Sequence, residues 1–476
     1  MSSTKSPASE LRALADLING AVAQIEAACA SRSQTFPSLD DPFTLQSEAA
    51  RMTPDVLKPG NIIVAAAQQL ISAVRIPALT LSLTAITTYQ TASLRLAISL
   101  HVSEILREAG PQGLHVSEIA AKTKVDSVKL ACILRLLATN HIFKEVSPDV
   151  FANNRISSLL DTRKPVASIL EAPEKKFDGT SGISAVLEHL TDEGLKSSRY
   201  LAETIMDPVI SSSEEANETA FNKAFGTTLP GFVWFELPEN SLRLKRFTIG
   251  MKGTQNLVPA SIILQGFNWK NLPKGSVLVD VGGGTGHHSL VVAQAFENIE
   301  VVVQDREAVV PGAVKHWEAD FPEAIQTGRV KFQGHDFFTP QPVKEPAVFL
   351  LRLILHDWSD KYALIILKQL RAAAGPHTQL LVMDHTIQYT CVDSSARDIP
   401  GAEIQPPPAP LLANQGAAAA MAYSLDVHMM AMANGIERTV THFQKLFEQA
   451  GWRLSQVIYA PGSTLENSKL VAVPIE

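Results

Sequence analysis

The residues best able to do chemistry stand at one strand-to-helix junction. Asp280 lies at the end of an apolar run, and Gly282, Gly283, Gly284 and Gly286 follow before a helix starts near His288. Glycines there let the main chain turn sharply and let a ligand lie against bare backbone at a helix N-terminus. Asp305 ends the next apolar run, 19 residues after Gly286, where a carboxylate is placed to accept hydrogen bonds from ribose hydroxyls. A dinucleotide fingerprint needs its third glycine where His287 stands, and Asp280 ahead of the turn would repel a pyrophosphate. The same carboxylate suits a ligand with a cationic amino group and a sulfonium. Tight turns also need glycines for steric reasons alone, so the junction by itself does not fix the chemistry.

The surrounding elements give the junction a frame. Beyond Gly275, short β-rich apolar runs alternate with helical stretches: "SVLVDVGGGTG", "IEVVVQD", "RVKFQGHDFF", "AVFLLRLILHDW" and "TQLLVMDH". The first four are joined by segments long enough to cross a parallel sheet, which predicts an α/β, Rossmann-like sheet with helices on both faces. Among thirteen histidines, His356 is set apart by position. It follows the apolar run "VFLLRLIL", at the C-terminal edge of the sheet where such folds bind ligands. Residues 391–420, with five prolines between 400 and 410, interrupt the pattern and read as an inserted, mobile surface loop.

Upstream, Leu11 to Ala28 has the spacing of an amphipathic helix, and Ser31 to Gly60 reads as a linker or mobile loop. Leu114 to Ile156 has the grammar of a winged helix-turn-helix: a short helix, a turn, a second helix capped by Asp126, then "HIFKEV" and "VFANN" as paired strands. That module raises the alternative of a ligand-responsive DNA-binding regulator. Its six basic residues, among them Arg135, Lys144 and Arg155, face four acidic ones, a thin footprint for a DNA reader. Its second helix offers Val128, Leu130, Ala131, Cys132 and Ile133 where base-reading side chains would stand.

With 476 residues the chain exceeds what one hydrophobic core usually holds, so at least two domains are expected. A net charge of −7 supplies no global field for nucleic acid or acidic lipid. Cys29, Cys132 and Cys391 lie far apart without metal-ligand or redox spacing, which predicts no metal site and a reducing, cytoplasmic setting. Met1 to Ala30 lacks the basic start and apolar run of a secretion signal, so export is not expected. The charge-free stretch Ile76 to Leu94 carries too many Thr and Ser side chains for a membrane span and reads as buried helices.

Four segments, "LVDVGGGTG", "VVQDREAVV", "GHDFFTPQPV" and "LRLILHDWSD", match in order and spacing the motifs of one family. The chain resembles the S-adenosylmethionine-dependent O-methyltransferases of the caffeic-acid type, in their fungal branch, from about Thr91 to Pro461 without the insertion. The resemblance implies S-adenosylmethionine as cofactor, a small hydroxylated metabolite as substrate, and a homodimer held by the winged module and the apolar helices before it. The chain is expected to divide into four spans: an N-terminal helix and linker (1–60), a helical and winged dimerisation domain (61–180), a helical connecting region (181–270) and a catalytic domain (271–476) that carries the 391–420 loop.

Residue by residue, the resemblance places Gly282 against the methionine part of the cofactor, with Asp280, Gly284 and Gly286 framing the turn. Asp305 falls on the ribose, Asp336 and Phe337 flank the adenine, and Arg352 stands where relatives often carry a cofactor-touching lysine. His356 takes the place of the general base, suited to it because imidazole titrates near neutral pH. Glu437 and Asp384 fall on the carboxylates that orient the base, Asp384 being one methylene shorter than the usual Glu. Met429 and Asn434 lie nearest the substrate-touching positions. Two further alternatives stay open at this level, a nicotinamide-dependent dehydrogenase and a catalytically silent relative.

Overall fold

The computed structural model describes residues 7–255, 259–459 and 467–476. Met1 to Ser6 and Pro461, where the resemblance ends, lie outside them. The chain gathers into two compact units, one of residues 1–203 and 220–258, the other of residues 204–219 and 259–476.

In the first unit the N-terminal helix, Pro7–Ser31, packs along helix Pro54–Val74 through Ile25, Ala28, Cys29 and Val56. The segment expected as a linker or mobile loop makes specific contacts. Helix Pro54–Val74 starts inside it, and Arg155, 4% exposed, binds its carbonyl at Pro42 (3.2 Å), the hydroxyl of Ser47 (2.7 Å) and the carboxylate of Glu48. A buried guanidinium needs such partners, and this stretch supplies them. The winged module is present as read: β1 (Leu114–His115), helix Val116–Thr123, helix Ser127–Thr139, β2 (Lys144–Ser147) and β3 (Val150–Ala152), in the sheet order β1-β3-β2. Asp126 caps the second helix by accepting from the Lys129 amide at 2.9 Å. Leu130, Leu134, Leu137, Phe143 and Phe151 fill its core. Arg155 is spent on the linker, Lys144 pairs with Asp40 at 2.9 Å, and Arg135 pairs with Asp149 at 2.6 Å. Half of the module's basic residues thus serve the protein itself.

The helices over Ile76 to Leu94 depart from expectation. Helix Pro77–Ile86 buries none of its side chains within the chain, and Ile76, Leu79, Leu81, Ile86 and Tyr89 are exposed. Among the described residues, no single helix is long and apolar enough to cross a membrane.

The second unit holds a seven-stranded sheet made of β4 (Ser276–Val281), β5 (Ile299–Asp305), β6 (Val330–Gly334), β7 (Val348–Arg352), β8 (Gln379–His385), β9 (Trp452–Ile458) and β10 (Asn467–Pro474). Its order is β6-β5-β4-β7-β8-β10-β9, with β10 running antiparallel to both neighbours. The expected parallel strands are all there, and the last two strands add to them. Side chains alternate between faces: Val279, Val281, Phe349 and Leu351 enter one core, Leu278, Val303 and Leu350 the other. From β4 the chain moves outward through β5 and β6, then returns to pair β7 on the other side of β4. That reversal opens a crevice at the C-terminal ends of the strands, the general ligand position in such sheets.

The Pro-rich insertion makes packed contacts with the sheet. Ile399 and Ala402 join the sheet core beside Val457, and the Pro400 carbonyl accepts from the Val457 amide at 2.8 Å. β9 is an edge strand, and the insertion covers a donor that an open edge would leave unpaired. Gly401 allows the close approach: a side chain there would stand 2.0 Å from the Val457 carbonyl.

Candidate active site

The glycine turn leaves β4 at the reversal point. Gly282 has φ +67, and a Cβ at this position would meet Ile354 Cδ1 at 2.6 Å and Phe337 Cε1 at 3.5 Å. Bare main chain therefore faces Phe337 and Ile354. Gly286 has a different task, since its Cβ would strike Trp317 Nε1 at 2.7 Å and Val303 Cγ2 at 2.9 Å. The missing side chain at Gly286 lets helix His287–Ala295 pack close to the sheet.

Two carboxylates bracket the turn. Asp280, 3% exposed, points beneath it and accepts from Ser289 Oγ at 2.6 Å. Burial pushes its carboxyl up to about 6 against the Ser289 bond, with Asp305 adding to the rise and Arg352 opposing it. Asp305, at the end of β5, accepts from the Gly284 amide at 2.8 Å and from the Arg306 amide at 2.7 Å. Burial raises it too, and those two amides hold it back. Asp336 is exposed and accepts from the Phe338 amide at 3.0 Å, while Phe337 sits in a cluster of rings with Phe338 (4.9 Å) and Trp358 (6.0 Å). Arg352 ends β7. Burial pulls its guanidinium down to about 10 although Asp280 and Asp384 favour the charge, and its buried Nε has no hydrogen-bond partner among the described residues.

These features fit a cationic nucleoside ligand. The turn offers open backbone at Gly284, a strand-end carboxylate at Asp305, an aromatic wall at Phe337 and acidic charge at Asp280 beneath.

His356 lies on the turn Leu355–Asp357 that follows β7. Its Nδ1 is 2.8 Å from Glu437 Oε1, and Glu437 is 1% exposed. Asp357 Oδ1 stands 3.6 Å from Nε2, beyond hydrogen bonding. Burial disfavours charge on the ring, but Asp357, Glu437 and Asp384 outweigh it and hold the imidazole up to about 10. Burial raises all three carboxyls in turn.

Asp384 is fully buried and accepts from the Ile354 amide at 3.3 Å. Its bond goes to the backbone that leads into the His356 turn, where Leu353 adopts the left-handed φ of +50. Among the described contacts none joins Asp384 to the imidazole directly. The shorter side chain thus holds the loop, and Glu437 holds the ring.

Arg438, which sequence reasoning passed over, is wholly buried. Its guanidinium donates to the carbonyls of Leu355 (2.7 Å) and Trp358 (2.8 Å) and to Asp360 (2.9 Å). The Ile436 amide donates to the His356 carbonyl at 2.9 Å, and the Glu437 amide to Asp426 at 2.8 Å. Residues 435–438 therefore fix both the ring and the main chain of the His356 turn. The adjacent Glu and Arg of "NGIERT" were the available signal. Met429 is half-buried on helix Ala420–Ala433, whereas the Asn434 side chain is occupied, donating to the Glu215 carbonyl at 2.8 Å.

Comparison with known proteins bears on the family and the fold. Residues 203–398 match the O-methyltransferase domain model, and residues 85–163 match the O-methyltransferase dimerisation domain model. An O-methyltransferase of Armillaria gallica is 43% identical over 98% of this chain and 100% of its own length. The 4-O-methyltransferase 1 of Phanerochaete chrysosporium is 39% identical, over 94% of this chain and 96% of its own. Among solved structures, a pericyclic reaction enzyme superposes with a TM-score of 0.65 at 20% identity, over 88% of this chain and 94% of its own. The mitomycin 7-O-methyltransferase MmcR gives 0.60 at 20% identity, over 87% and 98%. At these identities the two structures speak to the fold alone.

Proposed function

The chain belongs to the O-methyltransferase family, whose members use S-adenosylmethionine, and we propose that His356 is the general base that prepares a hydroxyl of a small specialised metabolite for methylation. The observation that carries this reading is the 2.8 Å contact between His356 Nδ1 and Glu437 Oε1. With Nδ1–H donated to the carboxylate, Nε2 is the nitrogen left to accept a proton. The acceptor hydroxyl gives that proton to Nε2, and its oxygen gains the charge needed to attack. Asp357, Glu437 and Asp384 raise the affinity of this imidazole for a proton, which favours its taking one from a phenol. Such positioned proton transfer contributes roughly 100- to 10,000-fold.

S-adenosylmethionine, when bound, supplies a methyl group activated on a positively charged sulfur. In this reading Gly282 and Gly284 lie along its methionine part with Asp280 beneath, and Gly286 sets the helix that closes the turn. Asp305 takes the ribose hydroxyls, Asp336 and Phe337 frame the adenine, and Arg352, near Asp280, offers its Nε–H to the cofactor. Asp384 holds the loop that carries the base, and Met429 lines the acceptor side with a polarizable sulfur.

The dimerisation-domain match and the uncovered apolar side chains of helix Pro77–Ile86 support a homodimer. Light scattering is expected to give twice the 51.5 kDa of one chain, and a clean monomer would remove the idea. The reaction is tested by incubating the protein with labelled cofactor and a panel of phenols, enols and carboxylic acids, read by mass spectrometry. Label appearing in a phenol or enol is the expected result; transfer to carboxylic acids alone would overturn the acceptor class.

A further inference from the structure

Residues 204–219 group with the catalytic unit, although the chain on either side of them groups with the helical unit. This excursion makes directed contacts. Helix Asp360–Ala373 begins just after His356, and its N-cap residue, Ser359, makes no capping bond with its own side chain. The cap comes instead from 147 residues away, as Glu214 Oε1 accepts from the Lys361 amide at 3.0 Å, and Ser359 Oγ donates to the Glu214 carbonyl at 3.0 Å. The neighbouring Glu215 carboxylate accepts from Tyr362 Oη at 2.6 Å and pairs with Lys361 Nζ. Tyr362 in turn packs on Trp358 (5.8 Å) and Phe338 (5.7 Å). From the other side, Asn434 Nδ2 donates to the carbonyls of Glu215 (2.8 Å) and Glu218 (3.4 Å). Asn434 ends its helix in the left-handed conformation, three residues before Glu437.

We propose that Glu214 and Asn434 are positioning residues, and that the strap 214–218 clamps the turn bearing His356 to the turn bearing Glu437. The circuit is closed: strap to Ser359 and Lys361, along the turn to the His356 carbonyl, across to the Ile436 amide, and back through Asn434 to the strap. A carboxylate–imidazole pair drawn from distant segments keeps its geometry only if both segments are held, and misplacement by about 1 Å can cost on the order of 100-fold in rate. The proposal rests on the reading of His356 and Glu437 as base and orienting carboxylate. It also gives Asn434 a task other than touching substrate.

The test compares Glu214→Ala, Asn434→Ala, their double variant and the conservative Glu214→Gln, whose amide oxygen still accepts from Lys361. The expected result is a fall in kcat of about tenfold for each alanine variant, with S-adenosylhomocysteine affinity by calorimetry within twofold of wild type. The double variant is expected to lose much less than the product of the two, because both cut one circuit. Glu214→Gln is expected to restore most of the loss. Amide hydrogen exchange is expected to quicken at residues 357–362 and 435–438 in both alanine variants. Unchanged kcat and exchange in Glu214→Ala would overturn the clamp. A raised KM for the acceptor with unchanged kcat in Asn434→Ala would return that residue to the substrate. His356→Ala, run in parallel, separates the two claims: if it stays active the base is misassigned, while exchange still reports on the strap.

Discussion

Glu437 Oε1 meets His356 Nδ1 at 2.8 Å across 81 residues of chain, inside a unit where Glu437 is almost completely buried. A carboxylate buried this deeply with one bonded and one unpartnered oxygen is costly unless its partner carries charge. The pair therefore favours imidazolium, the form that exists after the acceptor has given up its proton.

Replacing His356 with alanine is expected to lower methyl transfer by roughly 100- to 10,000-fold while S-adenosylhomocysteine affinity stays within about twofold. Product formation by mass spectrometry and calorimetric titration read the two quantities separately. Substantial residual turnover would refute the base assignment.

The pH dependence has a definite sign. Asp357, Glu437 and Asp384 raise the imidazole from its ordinary 6.5 to about 10 despite burial, so the active, unprotonated form accumulates as pH rises. The acid limb of kcat/KM is expected above 6.5. Glu437→Gln removes one stabilising anion and should move that limb to lower pH while reducing kcat. A limb that stays in place would show that Glu437 does not act on the titrating group.

Asp305→Ala removes the acceptor of the Gly284 and Arg306 amides and the carboxylate assigned to the ribose. Cofactor affinity is expected to fall at least about tenfold, or about 1.4 kcal/mol, with turnover largely recovered at saturating cofactor. Normal calorimetric affinity in this variant would remove the ribose assignment.

The insertion gives a test of stability rather than chemistry. Ile399 is 7% exposed and packs in the sheet core, so Ile399→Ala is expected to cost roughly 2–5 kcal/mol and to lower Tm in calorimetry. A loop without packed contacts would show no change.

Much of this was legible in the sequence because its signals are local. The glycine turn, the strand-end Asp305 and the apolar runs of β4 to β8 follow from backbone sterics and short-range periodicity. The part played by Asp384 was not, because one methylene decides whether the carboxyl reaches the ring or stops at the Ile354 amide. Composition does not show two sets of contacts: residues 399–402 cover part of the edge of β9, and Arg155, more than a hundred residues away, binds the segment Ser31 to Gly60.

The fold class, the glycine turn with its two acidic brackets and the place of His356 at the ligand edge of the sheet are written in local stretches of the chain. All of these are patterns that neighbouring residues set. The surroundings of that histidine depend on long-range packing. Glu437 at its ring, Arg438 and Asp384 at its backbone and the strap at Glu214 come from segments 30 to 147 residues apart, and long-range packing alone brings them within bonding distance.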